Sequence, residues 1–402
     1  MSLMVDLETF RQQTRGWLEQ NCPESMRTRM LPGEDIAGGR KRTSTNPDAY
    51  VWLQRMAEKG WTAPTWPKEY GGAGLRKDEF LVLLDELQII KARPPLVGMG
   101  ISMIGPTLLE YGTDAQKLRH LPAIVRGDLA WCQGYSEPGA GSDLASLQTR
   151  AEDQGDYYLV NGSKIWTSGA LHADWIFCLV RTDTQAPKHE GISFLLFSMD
   201  SPGVSVRPIE MLNGSSPFCQ TFFEDVEVPK IDRLHKENQG WSVAKRLLQH
   251  ERSGLASLAS ADKAGPLQRI KPSMPLSALA KHYANASEIT DLVLRDEIVC
   301  NDMRKRAFTL TQARAVAESE TNTPGATTSI FNYIEAEYVK EQLELQNRIR
   351  GTQAFGWEGD SFTEEEISMC RLNLEAKSIS IAGGSNEIQL NIIAKRVLGL
   401  PD

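Results

Sequence analysis

The sequence predicts a multi-domain chain of α and β parts. It reads as an α-helical N-terminal domain over residues 1–130, a middle β-barrel or sandwich domain over 131–232, and a C-terminal α-helical bundle over 233–402. Two observations carry this. Apolar residues recur every three to four positions up to about residue 130, shift to short runs bounded by turn residues, and return to the helical period after Pro229. The length, 402 residues, suits more than one core at about 100–200 residues per domain.

Composition narrows the class. Hydrophobic residues make up 41% and charged residues 24%, which excludes collagen, coiled coil and wholesale disorder. No apolar run approaches the ~20 residues of a membrane span. Lys and Arg total 44 against 52 Asp and Glu, a net charge of -8 without a long single-sign block, which argues against a nucleic-acid role. Cys22, Cys132, Cys178, Cys219, Cys300 and Cys370 are far apart and form no Cys-x-x-Cys pair, so reduced thiols are expected. The first residues show neither a basic leader nor an Arg-rich amphipathic stretch, and a cytoplasmic protein is the expectation.

The elements follow in order. Residues 31–47 are polar and carry Gly and Pro, as in a surface loop. From Glu79 to Lys91, Phe80, Leu83, Leu84, Leu87 and Ile90 make one helical stripe, and Thr113 is a candidate N-cap for the next helix. Tyr157 to Val160, Asn161-Gly162, then Lys164 to Trp166 reads as a hairpin, since Asn-Gly tolerates the positive φ of a tight turn. Strands are expected at Trp175–Val180, Ile192–Phe197, Val204–Ile209 and Gln220–Val228. Helices are expected at Gly240–Ala261, Ser287–Glu318, Ser329–Arg350 and Glu364–Ile381. Ser385 is placed to cap a last one bearing Ile388, Ile392, Ile393 and Val397.

Tyr135-Ser136-Glu137-Pro138-Gly139-Ala140-Gly141-Ser142-Asp143 is the segment most suggestive of chemistry. Its Gly and Pro residues forbid regular structure, while Ser136 and Ser142 offer hydroxyls beside close-approaching backbone N–H groups. Such a loop suits the polar edge of a flat cofactor or a phosphate; an ordinary turn is the bland alternative. The six histidines show no paired metal spacing and read as surface or satisfied residues. No Gly-x-Gly-x-x-Gly opens a βαβ unit.

Four motifs in order carry a resemblance. Trp66-Pro67-Lys68-Glu69-Tyr70-Gly71-Gly72, Glu137 to Asp143, Gly162 to Gly169 and Gly383-Gly384-Ser385-Asn386-Glu387-Ile388-Gln389 resemble signatures of the acyl-CoA dehydrogenase family. The resemblance implies FAD-dependent α,β-dehydrogenation of an acyl-CoA thioester by a homo-oligomer, tetramer or dimer, that passes electrons to an electron-transfer flavoprotein. Carried over by position, Gln133 and Ser136 contact the isoalloxazine, Trp166 lies against it and Ser168 bonds its polar edge. Ser142 lies near the thioester and pantetheine. Gly351 approaches a neighbouring subunit's FAD phosphate, and Ser385 and Glu387 complete the cofactor set.

The chain departs from the family in two places. Many members carry the catalytic glutamate where this sequence has Gly383, which can offer only its backbone N–H to polarise the thioester. The Arg-x-x-Phe-Gly stretch that holds the flavin diphosphate is absent from residues 265–310, where Arg295 and Arg304 are the candidates and read as solvated helix charges. A replacement base is expected at Glu251. Trp241, Ala244, Leu248, Glu251, Leu255 and Leu258 follow in steps of three and four, so the carboxylate shares a stripe with apolar residues. Burial there would raise its pKa, which suits a general base. Long-chain and isovaleryl-type members carry their glutamate on this helix directly before an arginine, here Arg252, which joins Ser142 as a substrate contact. A buried structural ion pair is the bland reading of Glu251. Two other functions stay open: a flavin oxidase or monooxygenase on the same fold, and a base-deficient partner subunit of a hetero-oligomer.

Overall fold

The structure, a computed structural model, describes residues 2–28, 30, 33–41, 43–254, 273–321 and 330–401; for 2–5, 251–254 and 316–321 it describes the backbone alone. The chain divides into two compact units, Met1–Ile209 with Ser216–Lys263, and Glu210–Ser215 with Ala264–Asp402.

The first unit opens with helices α1 (Ser2–Asn21), α2 (Pro47–Glu58), α3 (Lys77–Ile89), α4 (Gly105–Tyr111) and α5 (Asp114–Val125). Leu18, Trp52, Met56, Leu83 and Leu87 close the core between α1, α2 and α3. Glu86 on α3 is fully buried and receives Arg11 Nη1 at 2.8 Å and Arg15 Nε at 2.7 Å from α1, so its charge is paired where water is excluded. Thr113 caps α5 as expected, in a reciprocal box with Gln116.

Eight strands follow: β1 (Trp131–Gly134), β2 (Arg150–Asp153), β3 (Tyr157–Ser168), β4 (Trp175–Arg181), β5 (Ile192–Ser198), β6 (Val204–Ile209), β7 (Phe218–Pro229) and β8 (Arg233–Leu234). Their order is β6-β7-β3-β2-β4-β5-β8, with β1 parallel to β4. The sheet curls on itself, and Phe197 on β5 meets Phe223 on β7 at a ring distance of 5.3 Å. The unbroken apolar runs of β4 and β5 follow from burial on both faces. Ile176, Cys178 and Val180 join Tyr158, Val160 and Phe223 inside the curl. Phe177 and Leu179 turn the other way, to a cluster shared with Leu108, Leu121 and Ile124 of α4 and α5. Helix α6 (Gly240–Gly254) adds Val243, Ala244 and Leu247 to that second cluster.

The expected Asn161-Gly162 hairpin is not there. Residues 157–168 form one continuous strand paired with β7, and Gly162 sits at a β-bulge. Its φ is 149°, and a Cβ would lie 2.7 Å from the Thr149 Cα, so glycine is demanded by a close approach and not by a turn. The hairpin turn comes earlier, at Gln154-Gly155-Asp156, where Gly155 has φ 90° and Asp153 Oδ1 accepts its N–H at 2.8 Å.

The second unit holds α7 (Leu276–Ala284), α8 (Leu292–Thr321), α9 (Phe331–Arg350), α10 (Glu364–Glu375) and α11 (Asn386–Ile392). Leu276, Leu279, Ile298, Leu345 and Ile349 form one core patch; Tyr338, Val339, Leu343 and Met369 form another. Helix α7 was not among the expected elements, and the helix expected from Ser287 begins at Leu292. The helix expected to run from Glu364 to Ile381 ends at Glu375 in a 3₁₀ turn, where the Ser378 hydroxyl donates to the Glu375 carbonyl at 2.8 Å. Ser385 caps α11, accepting from Ile388 N. Along α8, Ile298 and Phe308 are buried while Leu292, Val299, Met303 and Leu310, at steps of seven, four and seven, are exposed. No helix among the described residues is long and apolar enough to cross a membrane.

Candidate active site

In the first unit the chemistry-bearing residues gather where β1 leaves the sheet and β3 bulges. After Gly134 the chain turns sharply: Glu137 and Ala140 exchange two backbone hydrogen bonds of 3.0 Å around Pro138-Gly139. Ser136 is half-buried, and its carbonyl accepts the Ile165 N–H at 2.9 Å, which sets the loop beside β3. Ser142 is exposed at the loop's outer end, next to Asp143, which pairs with Lys188.

Trp166 is not core filler. It is 51% exposed, stands at the irregularity between Lys164 and Thr167, and has φ 60°. A bulky residue in the left-handed region is strained and concentrates at functional sites. Its ring contacts Phe218 edge-on at 5.9 Å, and Ser168 follows two residues on, half-buried. Gln133 on β1 points a buried Nε2 donor that has no partner among the described residues. A buried amide donor without an acceptor is expensive unless a bound molecule supplies one.

The sequence reading missed a buried ion pair beneath this surface. Lys164 is 0% exposed; its Nζ donates to Glu137 Oε1 at 2.8 Å and to the Tyr135 carbonyl at 3.1 Å. Glu137 also accepts the Gln148 N–H at 2.6 Å and the Thr149 N–H at 2.9 Å. Burial acts to raise the Glu137 carboxyl; the Lys164 ammonium and these donors overcome it and hold the group below the ordinary carboxylate range. The signal was a lysine at an inward position of β3, which needs a carboxylate.

His120 is also a correction. It is neither at the surface nor satisfied: it is 0% exposed, and neither ring nitrogen has a partner among the described residues. It lies edge-on to Trp131 at 5.2 Å and Trp175 at 4.7 Å, and burial, then the charge of Arg119, pushes its pKa down to about 4.

Glu251 and Arg252 occupy the last turn of α6, and their side chains lie outside the described residues, as do Leu255 and Leu258. On the stripe that the sequence assigns to position 251, Ala244 is buried and Trp241 and Leu248 are half-buried. Before it, Glu110 of α4 ties α6 down, accepting from Arg246 at 2.6 Å and lying 3.1 Å from His250 Nε2.

In the second unit Gly383 and Gly384 have φ 70° and 100°. Asn332 Nδ2 donates to the Gly384 carbonyl at 3.2 Å and Gln389 Nε2 to the Gly383 carbonyl at 3.4 Å, so two side-chain amides orient this backbone. Among the described residues a Cβ at Gly383 would meet only Asn332 Oδ1, at 4.0 Å. Glu387 is exposed in the first turn of α11, where its backbone N–H and the Ser385 hydroxyl hold its carboxyl below the ordinary range. Gly351 ends α9 with φ 57°, and among the described residues nothing lies within 4 Å of where its Cβ would be. Arg295 and Arg304 are exposed, and Arg304 pairs with Glu341.

Comparison with known proteins matches all three parts of the chain. The models for the acyl-CoA dehydrogenase N-terminal, middle and C-terminal domains match residues 6–128, 132–226 and 238–398. The chain is 35% identical to acyl-CoA dehydrogenase IpdE1 of Mycobacterium tuberculosis over 99% of both chains. Among solved structures it resembles the Tcur3481-Tcur3483 steroid ACAD, with TM-score 0.75 and 29% identity over 99% of this chain and 98% of that one. It also resembles the ChsE4-ChsE5 complex from Mycobacterium tuberculosis, with TM-score 0.72 and 30% identity over 99% and 98%. The chain belongs to the acyl-CoA dehydrogenase family, the flavoprotein oxidoreductases of lipid metabolism. Membership implies a flavin cofactor.

Proposed function

We propose that this protein catalyses FAD-dependent α,β-dehydrogenation of an acyl-CoA with a bulky, branched or cyclic acyl group, using Glu251 as the base. The observation that carries this reading is the Gly383 backbone: it is held by Asn332 and Gln389, has no side chain to take a proton, and among the described residues a Cβ there would meet nothing nearer than Asn332 Oδ1 at 4.0 Å. With Glu251 as the base no carboxylate is needed at position 383, which suits a large acyl group, and the steroid ACAD among the similar structures supports a polycyclic one.

The described residues fit the cofactor. Gln133 supplies the buried donor that lacks an acceptor among the described residues, Ser136 and Ser168 supply hydroxyls, and the strained Trp166 supplies a flat exposed surface. Ser385 and Glu387 are the second unit's own candidates for the cofactor, and Gly351 is its candidate for the FAD phosphate of a neighbouring subunit. Bound FAD would supply the acceptor for the β-hydride, and an electron-transfer flavoprotein the onward acceptor. This chain's residues do the rest: Glu251 takes the α-proton on its carboxylate, the Gly383 N–H polarises the thioester carbonyl, and Ser142 and Arg252 hold the substrate. Replacing Glu251 with Gln keeps FAD and acyl-CoA binding and slows flavin reduction by about 10²–10⁴-fold. Bleaching at nearly the parent rate overturns the assignment.

The apolar residues on the outer side of α8 support an oligomer, with a homo-oligomer as the first reading. The two complexes among the similar structures favour a second, in which the partner is a different chain of the same family. Native mass of the purified, FAD-loaded chain separates them. An even multiple of one chain supports the first, and FAD retention only on co-expression with a second chain supports the other.

A further inference from the structure

We infer that the buried Lys164–Glu137 pair is the positioning device of the flavin-facing wall, coupling the loop that carries Ser136 to the bulge that presents Trp166. The inference rests on the placement of Ser136 and Trp166 proposed above, and its coupling part stands on geometry alone.

Each atom of the pair reaches a different part of the wall. The Lys164 ammonium holds the loop at both sides of Ser136, through the Tyr135 carbonyl and the Glu137 carboxylate. That carboxylate reaches forward to the Gln148 and Thr149 amides and so closes the loop on β2. Ser136 in turn takes the Ile165 amide, one residue from Lys164 and one from Trp166. The connections form a closed ring: Lys164 to Glu137, Glu137 to Ser136 along the chain, Ser136 to Ile165, and Ile165 back to Lys164. Trp166 leaves this ring in a left-handed conformation that an isolated strand would not keep. A strained residue persists only where its surroundings over-determine it, and the ring supplies that constraint. Neither Lys164 nor Glu137 is exposed enough to meet a substrate, so both act through the residues they hold.

Two measurements on the full chain test this. The first uses the parent protein, by amide hydrogen exchange. The Gln148, Thr149 and Ile165 amides should open as one unit with a common rate and all slow when FAD is added. Separate opening rates overturn the coupling. A common rate that FAD leaves unchanged keeps the coupling and overturns the flavin placement. The second compares Lys164→Met, Glu137→Gln and the double variant Glu137→Met with Lys164→Met, which leaves no unpaired buried charge. In FAD-free protein labelled with 5-fluorotryptophan, the fluorine resonance assigned by Trp166→Phe should shift or broaden, while those of Trp17 and Trp52 stay in place. FAD affinity should fall at least ~10-fold. A folded variant with the Trp166 resonance unmoved and FAD affinity within about twofold of the parent overturns the inference.

Discussion

His120→Phe tests the burial of an unsatisfied imidazole and so the packing of α5 against the sheet. In the folded chain the ring is wedged between Trp131 and Trp175 with a pKa of about 4, against about 6.5 for an ordinary histidine. The sign follows from linkage. The folded pKa is the lower one, so between these values the unfolded chain binds a proton that the folded chain refuses, and stability falls as pH falls. Above pH about 6.5 the imidazole is neutral in both states and costs nothing through protonation. Going from pH 7 to pH 5 crosses about 1.5 pH units of this window, which amounts to about 2 kcal/mol. Phenylalanine has a similar shape and no proton to gain, so the variant should lose about 2 kcal/mol less than the parent over that interval. At pH 7 it should be as stable as the parent or more so, because two unsatisfied buried nitrogens are gone. The assay is urea unfolding followed by tryptophan fluorescence at both pH values, parent and variant side by side. A variant that keeps the parent's full pH dependence would refute the reasoning.

Two further substitutions probe the local chemistry. Gly162→Ala should cost about 2 kcal/mol or more in urea unfolding, because its Cβ would lie 2.7 Å from backbone at a φ that side chains rarely adopt; a cost under about 0.5 kcal/mol would restore the reading of a permissive turn. Thr113→Ala removes the hydroxyl of a capping box and should lower stability by about 1 kcal/mol, with Thr113→Ser recovering most of it.

The sequence by itself determined whatever is encoded within a few neighbouring residues. Thr113 and Ser385 act as caps because each side chain reaches an amide three residues ahead, and both were legible as such. The strand Val204–Ile209 was legible to the residue, and the change from helical to extended and back to helical followed from the period of the apolar positions. The loop Tyr135–Asp143 and Trp166 stood out through their resemblance to acyl-CoA dehydrogenase signatures; by itself the loop also reads as an ordinary turn. Tertiary structure decided what depends on partners distant in the chain. Gly162 reads as a turn until Thr149 from the neighbouring strand occupies the space of its Cβ. His120 reads as a surface or satisfied residue until Trp131 and Trp175 close over it. Lys164 meets Glu137 across 27 residues of chain, and only the bulge of β3 brings that charge inside to meet a carboxylate. Local hydrogen bonds are set by spacing along the chain, whereas burial is a property of everything that packs against a residue, and that is settled only when the sheet curls and the helices close on it.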